Sequence, residues 1–351
     1  MKATWTSLSR RAVIVAGGAA ALAAAGALPA RAQARRERVS VAVGAEHSSV
    51  YQPWDLAQAL GYFAAEGLDV SLSYTRGGSE ASVALSGGSA DFSGNAIDHA
   101  IAAQAQGKSL VMIADFMGAP GISFLIRNAD REKYKSFKDL KGKTVGITSP
   151  GSATHVLGVW LAKQSGLARD DVKYLGVGAG ATVIAAMDRG VVDAAFATDP
   201  FATELIRSNR ATQMINLFDP RVVRSALGFP SYAFTGALTR GDVIQKKPET
   251  VQKIVNALVR AQKFMSRHTS LQVAQALPDE MRAGIPLEVW AAAYSHSRPA
   301  FTTYGRIEAE GVHSVVVANQ FFLAENAPKN VNEAALFDNS FVERANKNVK
   351  A

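Results

Sequence analysis

The sequence predicts an α/β fold in two lobes, and three observations carry that prediction. Short apolar runs alternate with helical patterns between Val39 and Asp115, which is how parallel strands joined by crossover helices are written. The same alternation starts again at Lys143 and continues to Phe196. The chain has 351 residues, about twice the usual length of one domain, and its 48% hydrophobic and 19% charged residues suit a buried core.

Val39-Ser40-Val41-Ala42-Val43 alternates and reads as the first strand. After a loop from Gly44 to Gln52, Pro53 suits the first turn of a helix running to about Glu66, with Gly67 as its left-handed cap. Val70, Leu72 and Tyr74 alternate in a second strand. Arg76-Gly77-Gly78-Ser79 then leads into a helix capped by Ser79 or Ser82. Ala90–Ser93 is a strand, Ile97–Gln106 a helix and Leu110–Asp115 a buried strand. Beyond the restart, Lys143–Thr148, Val172–Val177 and Val192–Phe196 read as strands, Thr154–Ser165 and Thr182–Asp188 as helices. Tyr232–Leu238 is a further strand, and the rest is mostly helical. Val251, Ile254, Val255, Leu258 and Val259 there share one helical face. Two segments correspond across the restart: Gly88-Ser89-Ala90-Asp91-Phe92 and Gly190-Val191-Val192-Asp193-Ala194. Each is a helix-ending Gly, an Asp three residues on, then a strand.

Cysteine is absent, which removes disulfides, thiolate metal sites and cysteine nucleophiles. The net charge is +8, but Lys2, Arg10, Arg11 and Arg31 hold half of it within residues 1–32, which contain no acid. The remaining excess is mild and without a long basic run, so nucleic acid is not an expected partner. Residues 1–32 read as an export signal: a basic start, an Ala/Gly-rich run from Ala12 to Leu28, and Ala30-Arg31-Ala32 as a cleavage site. Arg10-Arg11 after Ser9 resembles a twin-arginine motif, with Val13, Ile14 and Val15 departing from its usual residues. A retained membrane anchor is the alternative, disfavoured by a short run interrupted by glycine pairs. Cleavage near Ala32 and a periplasmic location are the expectation.

The six histidines are dispersed, with no pair at helical metal-ligand spacing, so no metal site is expected. His268, His296 and His313 read as structural; His47 and His155 follow strands, where α/β pockets form. Gly142-Lys143-Thr144 ends like a P-loop, but Phe137 replaces its first glycine and a strand follows. Gly176-Val177-Gly178-Ala179-Gly180-Ala181 fits G-x-G-x-x-A between strand and helix, but no acid ends a second strand about 20 residues on in the way a dinucleotide site expects. No G-x-S-x-G nucleophile elbow occurs. What recurs is Gly- and Ser-rich loops before helices, at Arg76–Ser79, Ser149–Thr154 and Gly178–Thr182. Free N–H groups and the helix dipole make such loops anion receptors, although ordinary strand-to-helix turns use the same residues.

Gly61-Tyr62-Phe63-Ala64-Ala65-Glu66-Gly67-Leu68-Asp69-Val70 is the most specific string. It resembles the GYF-x-x-EGL-x-V segment of periplasmic solute-binding proteins of ABC importers, nitrate/sulfonate/taurine type, related to the thiamine-precursor-binding group. Leu85–Phe92, Phe137–Gly146, Gly190–Ala194 and Pro248–Val251 continue the resemblance in the family's order. It implies a type II periplasmic binding protein: two lobes with doubly wound mixed sheets, joined by a two-strand hinge. Lobe 1 would be 37–122 plus 237–351 and lobe 2 would be 123–236, with crossings near Ser123–Arg127 and Ala233–Leu238. The implied function is to capture a small anionic organic solute, a sulfonate or carboxylate, by hinge closure and deliver it to a membrane permease. The protein would act as a monomer, without cofactor, metal or catalytic residue.

By position, the family's ligand loops match His47, Ser48, Ser49 and Tyr51; Gly77, Gly78 and Ser79; Asn95; Phe116; Gly151, Ser152, Ala153, Thr154 and His155; Gly178; and Asp199. Tyr232 joins them as a candidate apolar wall. The helix start at Gly151–Thr154 would receive the anionic head, with Ser48, Ser79 and Asn95 as donors. Tyr51, Phe116 and Tyr232 would wall the tail, and His47 and His155 would add charge-assisted contacts if protonated. Yeast-type thiamine pyrimidine synthases share the fold but carry a cysteine-rich iron-binding motif, which a chain without cysteine cannot supply. A periplasmic enzyme, with His47, Glu46, His155 or Asp199 as base, or a ligand-presenting sensor are the alternatives.

Overall fold

The computed structural model describes residues 36–349 apart from positions 283 and 329, so the stretch expected to be an export signal lies outside the described residues. Strand β1 (Glu37–Val43) leads through a single turn at Ser49–Tyr51 into α1 (Gln52–Ala59) and α2 (Tyr62–Ala65). Then come β2 (Leu68–Tyr74), α3 (Gly78–Gly87), β3 (Phe92–Ala96), α4 (Asp98–Ala105) and β4 (Leu110–Asp115). The second series runs β5 (Ser123–Arg127), β6 (Thr144–Ile147), α5 (Ala153–Gln164), β7 (Lys173–Gly176), α6 (Ala181–Asp188), β8 (Ala194–Ala197), α7 (Phe201–Arg207), β9 (Ala211–Asn216) and α8 (Pro220–Leu227). Strand β10 (Thr235–Arg240) precedes α9 (Gly241–Lys246), α10 (Pro248–Arg267), α11 (Ser270–Gln275), α12 (Leu287–Ser297), α13 (Ala309–Leu323) and α14 (Ser340–Asn348).

The strands form two mixed sheets of the same topology. Their orders are β2-β1-β3-β10-β4 and β7-β6-β8-β5-β9. In each, three strands pair in parallel and a fourth inserts antiparallel: β10, from the far end of the strand series, against β3 and β4, and β5, the first strand of its own series, against β8 and β9. The chain therefore passes between sheets twice, after β4 and before β10. The outer edge of β4 is closed by the chain near Leu336: Met112 N–H donates to Leu336 O and Asp338 N–H to Met112 O, both at 2.9 Å. That blunts an edge that would otherwise template pairing.

The buried face expected on α10 is present, with Val251, Ile254, Val255, Leu258 and Val259 all fully buried. Burial of each such side chain is worth roughly 1.5–3 kcal/mol. Four local expectations change, one being that the strand expected at Tyr232–Leu238 runs from Thr235 to Arg240. The helix expected from Pro53 to Glu66 is two helices, because Gly61 takes φ +69°, left-handed, and ends the first. Helix α3 is capped by Gly77, not Ser79 or Ser82. Strand β3 lies two to three residues later than expected, so Asn95 and Ala96 are strand residues at its carboxyl end. Among the described residues, no helix is long and apolar enough to cross a membrane.

Candidate functional site

Helices α3 and α5 begin at opposite walls of one cleft. Ser79 Oγ, in the first turn of α3, donates to Pro150 O at 3.0 Å, and Ser149 Oγ donates to Ser79 Oγ at 3.2 Å. Deeper in, Ser48 Oγ donates to Thr198 Oγ1 at 2.8 Å and Ser49 N–H to Asp199 O at 2.7 Å. Both helices follow strand ends, and in open α/β sheets that is where side chains from several loops converge.

Between these contacts lies a cavity of about 40 Å³. At roughly 10–15 Å³ per water, it holds about three waters or one small polar group. It is lined by Ser48 and Tyr51 after β1, Gly78 at α3, Asn95 at the end of β3 and His99 beyond it, and Thr148, Ser152, Ala153, Thr154 and Thr198 of the second sheet's loops. Gly44, Ala45, Val50, Ala96, Ile122, Ala179 and Phe234 complete it. None of these is Lys or Arg. The polar atoms are hydroxyls, an amide and an imidazole, and the backbone adds more. Ser152 is the N-cap of α5, and neither Ala153 N–H nor Thr154 N–H finds an acceptor among the described residues, so both remain free to donate. Ser152 Oγ and Thr154 Oγ1 lie 2.8 Å apart, and Thr148 N–H donates to Thr154 Oγ1 at 2.9 Å, which fixes the turn.

The opposite wall is built by glycine. A Cβ at Gly78 would sit 2.5 Å from Asn95 Oδ1 and 2.6 Å from His99 Nε2, and one at Gly44 would sit 2.6 Å from the Tyr51 hydroxyl. Asn95 is held by donating from Nδ2 to Gly78 O and by accepting from Ala96 N–H. Tyr51 and His99 are 6% and 5% exposed, and their side chains make no hydrogen bond among the described residues. Burial first, and then Asp98, push the Tyr51 hydroxyl's pKa up, so it is a donor at neutral pH. Asp98 is itself raised by burial, an effect that His99 opposes, and its Oδ1 has no partner. The arrangement can donate several hydrogen bonds to a small anion at two helix N-termini, and His99 is the one imidazole among the lining side chains.

Of the residues singled out from the sequence, Ser48, Tyr51, Gly78, Asn95, Ser152, Ala153 and Thr154 come together on this cavity. The others do not line it. Gly77 and Ser79 form its rim through the cap of α3 and the bond to Pro150, while Ser49 is buried beside it. His47 Nδ1 lies 2.9 Å from Met281 O and its ring stacks on Tyr74. Phe116 and Tyr232 are core residues, packed on Trp54 and Phe229. Gly151 donates its N–H to His155 Nδ1, and the His155 ring packs on Tyr174 and Phe322. Burial, then Arg169, lowers the His155 pKa to about 4, so it is uncharged at neutral pH. Asp199 is fully buried, accepting from Thr203 N–H and Oγ1 and facing His296 Nδ1 at 2.8 Å. Gly178 lines a separate, outer chamber. Sequence reasoning missed His99, Thr148 and Thr198, each of which follows a strand end by one to three residues, the signal that was available for them. Among the described residues, no cluster of three or more His, Asp or Glu could hold a metal ion.

Comparison with known proteins fits this geometry. A solved protein from Bordetella bronchiseptica RB50 is 30% identical and superposes with a TM-score of 0.83, covering 89% of this chain and 98% of that one. The alkanesulfonate-binding protein SsuA from Xanthomonas axonopodis pv. citri, solved with MOPS, is 20% identical with a TM-score of 0.70 over 88% of this chain and 100% of its own, a likeness of fold. Among curated proteins, the 4-amino-5-hydroxymethyl-2-methylpyrimidine phosphate synthase of Aspergillus parasiticus is 28% identical over 226 residues. That match spans 62% of this chain and 64% of the synthase, less than two thirds of its length. Residues 47–270 match the family described as NMT1/THI5 like, a stretch that holds both helix N-termini and the lining from Ser48 to Phe234. With the two-lobed fold of periplasmic binding proteins and that match over most of its length, the chain belongs to the NMT1/THI5-like family.

Proposed function

We propose that this protein is the solute-binding component of an ABC importer, which captures a small organic anion, a sulfonate or carboxylate, between its lobes. The observation that carries the reading is the convergence of the α3 and α5 N-termini on one cavity with free backbone donors and no Lys or Arg. A site of neutral donors binds an anion without a permanent counter-ion, so the anion can also be released to a permease. The alkanesulfonate named for the Xanthomonas protein supports the same ligand class. In this reading, lobes 37–122 plus 237–351 and 123–236 close as a monomer in the periplasm after export, with cleavage near Ala32. Helix α13 packs on both α4 and α5, so it reaches across that division. The bonds Ser48–Thr198, Ser79–Pro150 and Ser149–Ser79 open with the cleft; at about 0.5–1.5 kcal/mol net each, they favour the closed form by a few kcal/mol, and ligand contacts to both lobes add to that preference.

An enzyme on this fold is the second reading, favoured by the synthase name of the curated relative and by His99 and Tyr51, unpartnered in the cavity. Thermal-shift screening of the purified protein against small sulfonates, nitrate, aliphatic and aromatic carboxylates and thiamine-precursor pyrimidines tests both. A ligand at about 100 times its Kd adds roughly 2.7 kcal/mol. Stabilisation by an anion that mass spectrometry recovers unchanged is the expected result. Stabilisation by pyrimidines alone would overturn the anion assignment, and conversion of the bound compound would replace the binding protein with an enzyme.

A further inference from the structure

Outside the inner cavity lies a second chamber of about 420 Å³. Arg76 of the loop before α3 and Glu80 in its first turn form one wall, and Ser149, Pro150, Gly178 and Thr182 the other. Thr148 and Ala179 line both chambers, so the two meet at those residues. Their chemistry differs. The inner chamber has no Lys or Arg, whereas the outer has one such side chain, Arg76.

Arg76 is held at the mouth. Its Nε donates to Glu80 Oε1 at 3.1 Å, Nη2 lies 3.1 Å from the same oxygen, and its backbone N–H donates to Glu80 Oε2 at 3.2 Å. The Arg76 side chain is 89% exposed, so the pair is screened and weak. Glu80 stays anchored through the backbone N–H when the guanidinium leaves it. The guanidinium has five donors, and the Glu80 contacts occupy only one edge of the fork. An anionic group entering the outer chamber therefore meets a cation that can turn to it at little cost.

We infer that the solute is a dianion with its charges at opposite ends, such as an α,ω-dicarboxylate, a sulfocarboxylate or an aromatic dicarboxylate. One end occupies the inner chamber, the spacer passes Thr148 and Ala179, and the second end faces Arg76. The outer volume admits several carbons or an aromatic ring. This deepens the proposed function and rests on the anion occupying the inner chamber.

Calorimetry with matched probes tests it: pentanoate against glutarate, butane-1-sulfonate against 4-sulfobutanoate, and benzoate against terephthalate. In the wild type, the dianion of the best pair should bind about two- to fivefold tighter, the range of an exposed ion pair. Arg76→Gln should remove that preference while the mono-anion affinity reports an intact inner chamber. Glu80→Gln should enlarge the preference, and high salt should shrink it. An equal ratio in the wild type and Arg76→Gln, with the mono-anion still bound, overturns the dianion assignment alone. Failure of both members of every pair to bind overturns the anion reading beneath it as well.

Discussion

Asp91 and Asp193 hold the same position in the two sheets. Asp91 N–H donates to Ser40 O at 2.9 Å while Asp91 Oδ2 accepts from Ser40 N–H at 3.0 Å and Ser40 Oγ at 2.8 Å. Asp193 N–H donates to Thr144 O at 2.8 Å while Asp193 Oδ2 accepts from Thr144 N–H at 2.9 Å. Each aspartate thus ties the start of the third parallel strand to the first, β3 to β1 and β8 to β6. Removing either carboxylate leaves a backbone N–H without its acceptor. Asp91→Ala and Asp193→Ala should each lower stability by about 1–3 kcal/mol, and the Asn variants, which keep an acceptor oxygen, by less. Urea denaturation checks this; an Asn variant as unstable as its Ala counterpart would contradict the acceptor account.

Ala153 isolates the anion argument to one atom. It is the first residue of α5, a position where proline is compatible with the helix and removes only an N–H that has no helical acceptor. The preceding Ser152, at φ −78° and ψ 164°, already has the conformation a following proline requires. Ala153→Pro should leave the melting temperature close to wild type. A hydrogen bond to a charged group is worth about 1.5–3 kcal/mol, so affinity for an anionic solute should fall roughly 10- to 150-fold. Calorimetry with the ligand identified by screening decides; unchanged affinity would mean the anion is held elsewhere.

The two-lobed class was legible because its signal is periodic: apolar alternation and helical spacing recur in both halves, and the Gly-x-x-Asp segments mark corresponding turns. The cavity was only partly legible. Serines and glycines in strand-to-helix loops, and Asn95 at the carboxyl end of β3, could be placed because that position alone brings them to the cleft. The histidines could not, since His99 sits three residues after β3 ends, inside the next helix, whereas His155, at a helix start, turns its ring to Tyr174 and Phe322. Aromatic walls misled for a related reason. Phe116 and Tyr232 are large apolar side chains at loop positions, and core packing on Trp54 and Phe229 claims them. Asp199 is taken by Thr203 and His296, partners 4 and 97 residues away, and the second leaves no mark in local sequence.

Asp55 makes stability depend on pH. It is buried under β2, accepts from the Tyr74 hydroxyl at 2.6 Å, and burial pushes its pKa up from 3.8 to about 7, with Glu46 adding to the rise and the Tyr74 bond opposing it. The folded state then binds a proton that the unfolded chain has lost between about pH 4 and pH 7. The Asp55 contribution is therefore complete below pH 4 and is lost as pH rises toward 7, by at most about 1.4 kcal/mol per pH unit. Asp55→Asn keeps an acceptor for Tyr74 and cannot ionise. Compared with wild type by urea denaturation, it should gain relative stability between pH 4.5 and 7.5; a constant difference across that window would place the Asp55 pKa near its ordinary value.

Gly78 and Gly87 begin and end the same helix, and they separate a binding effect from a helix effect. At Gly87 an added Cβ meets nothing within 4 Å, so Gly87→Ala should leave affinity unchanged and stabilise by up to about 1 kcal/mol through the unfolded chain. At Gly78 the helical backbone gains from the same change, but the Cβ would stand 2.5 Å from Asn95 Oδ1 and 2.6 Å from His99 Nε2. Both side chains must move, and the space they have is the inner cavity of about 40 Å³. Gly78→Ala should therefore lose at least about tenfold in affinity, equivalent to 1.4 kcal/mol, with its melting temperature lowered by no more than a few degrees. Calorimetry and thermal unfolding of the two variants side by side give the comparison. Wild-type affinity in Gly78→Ala would show that the solute never enters the inner cavity, and the site would then have to be sought in the outer chamber between Arg76 and Gly178.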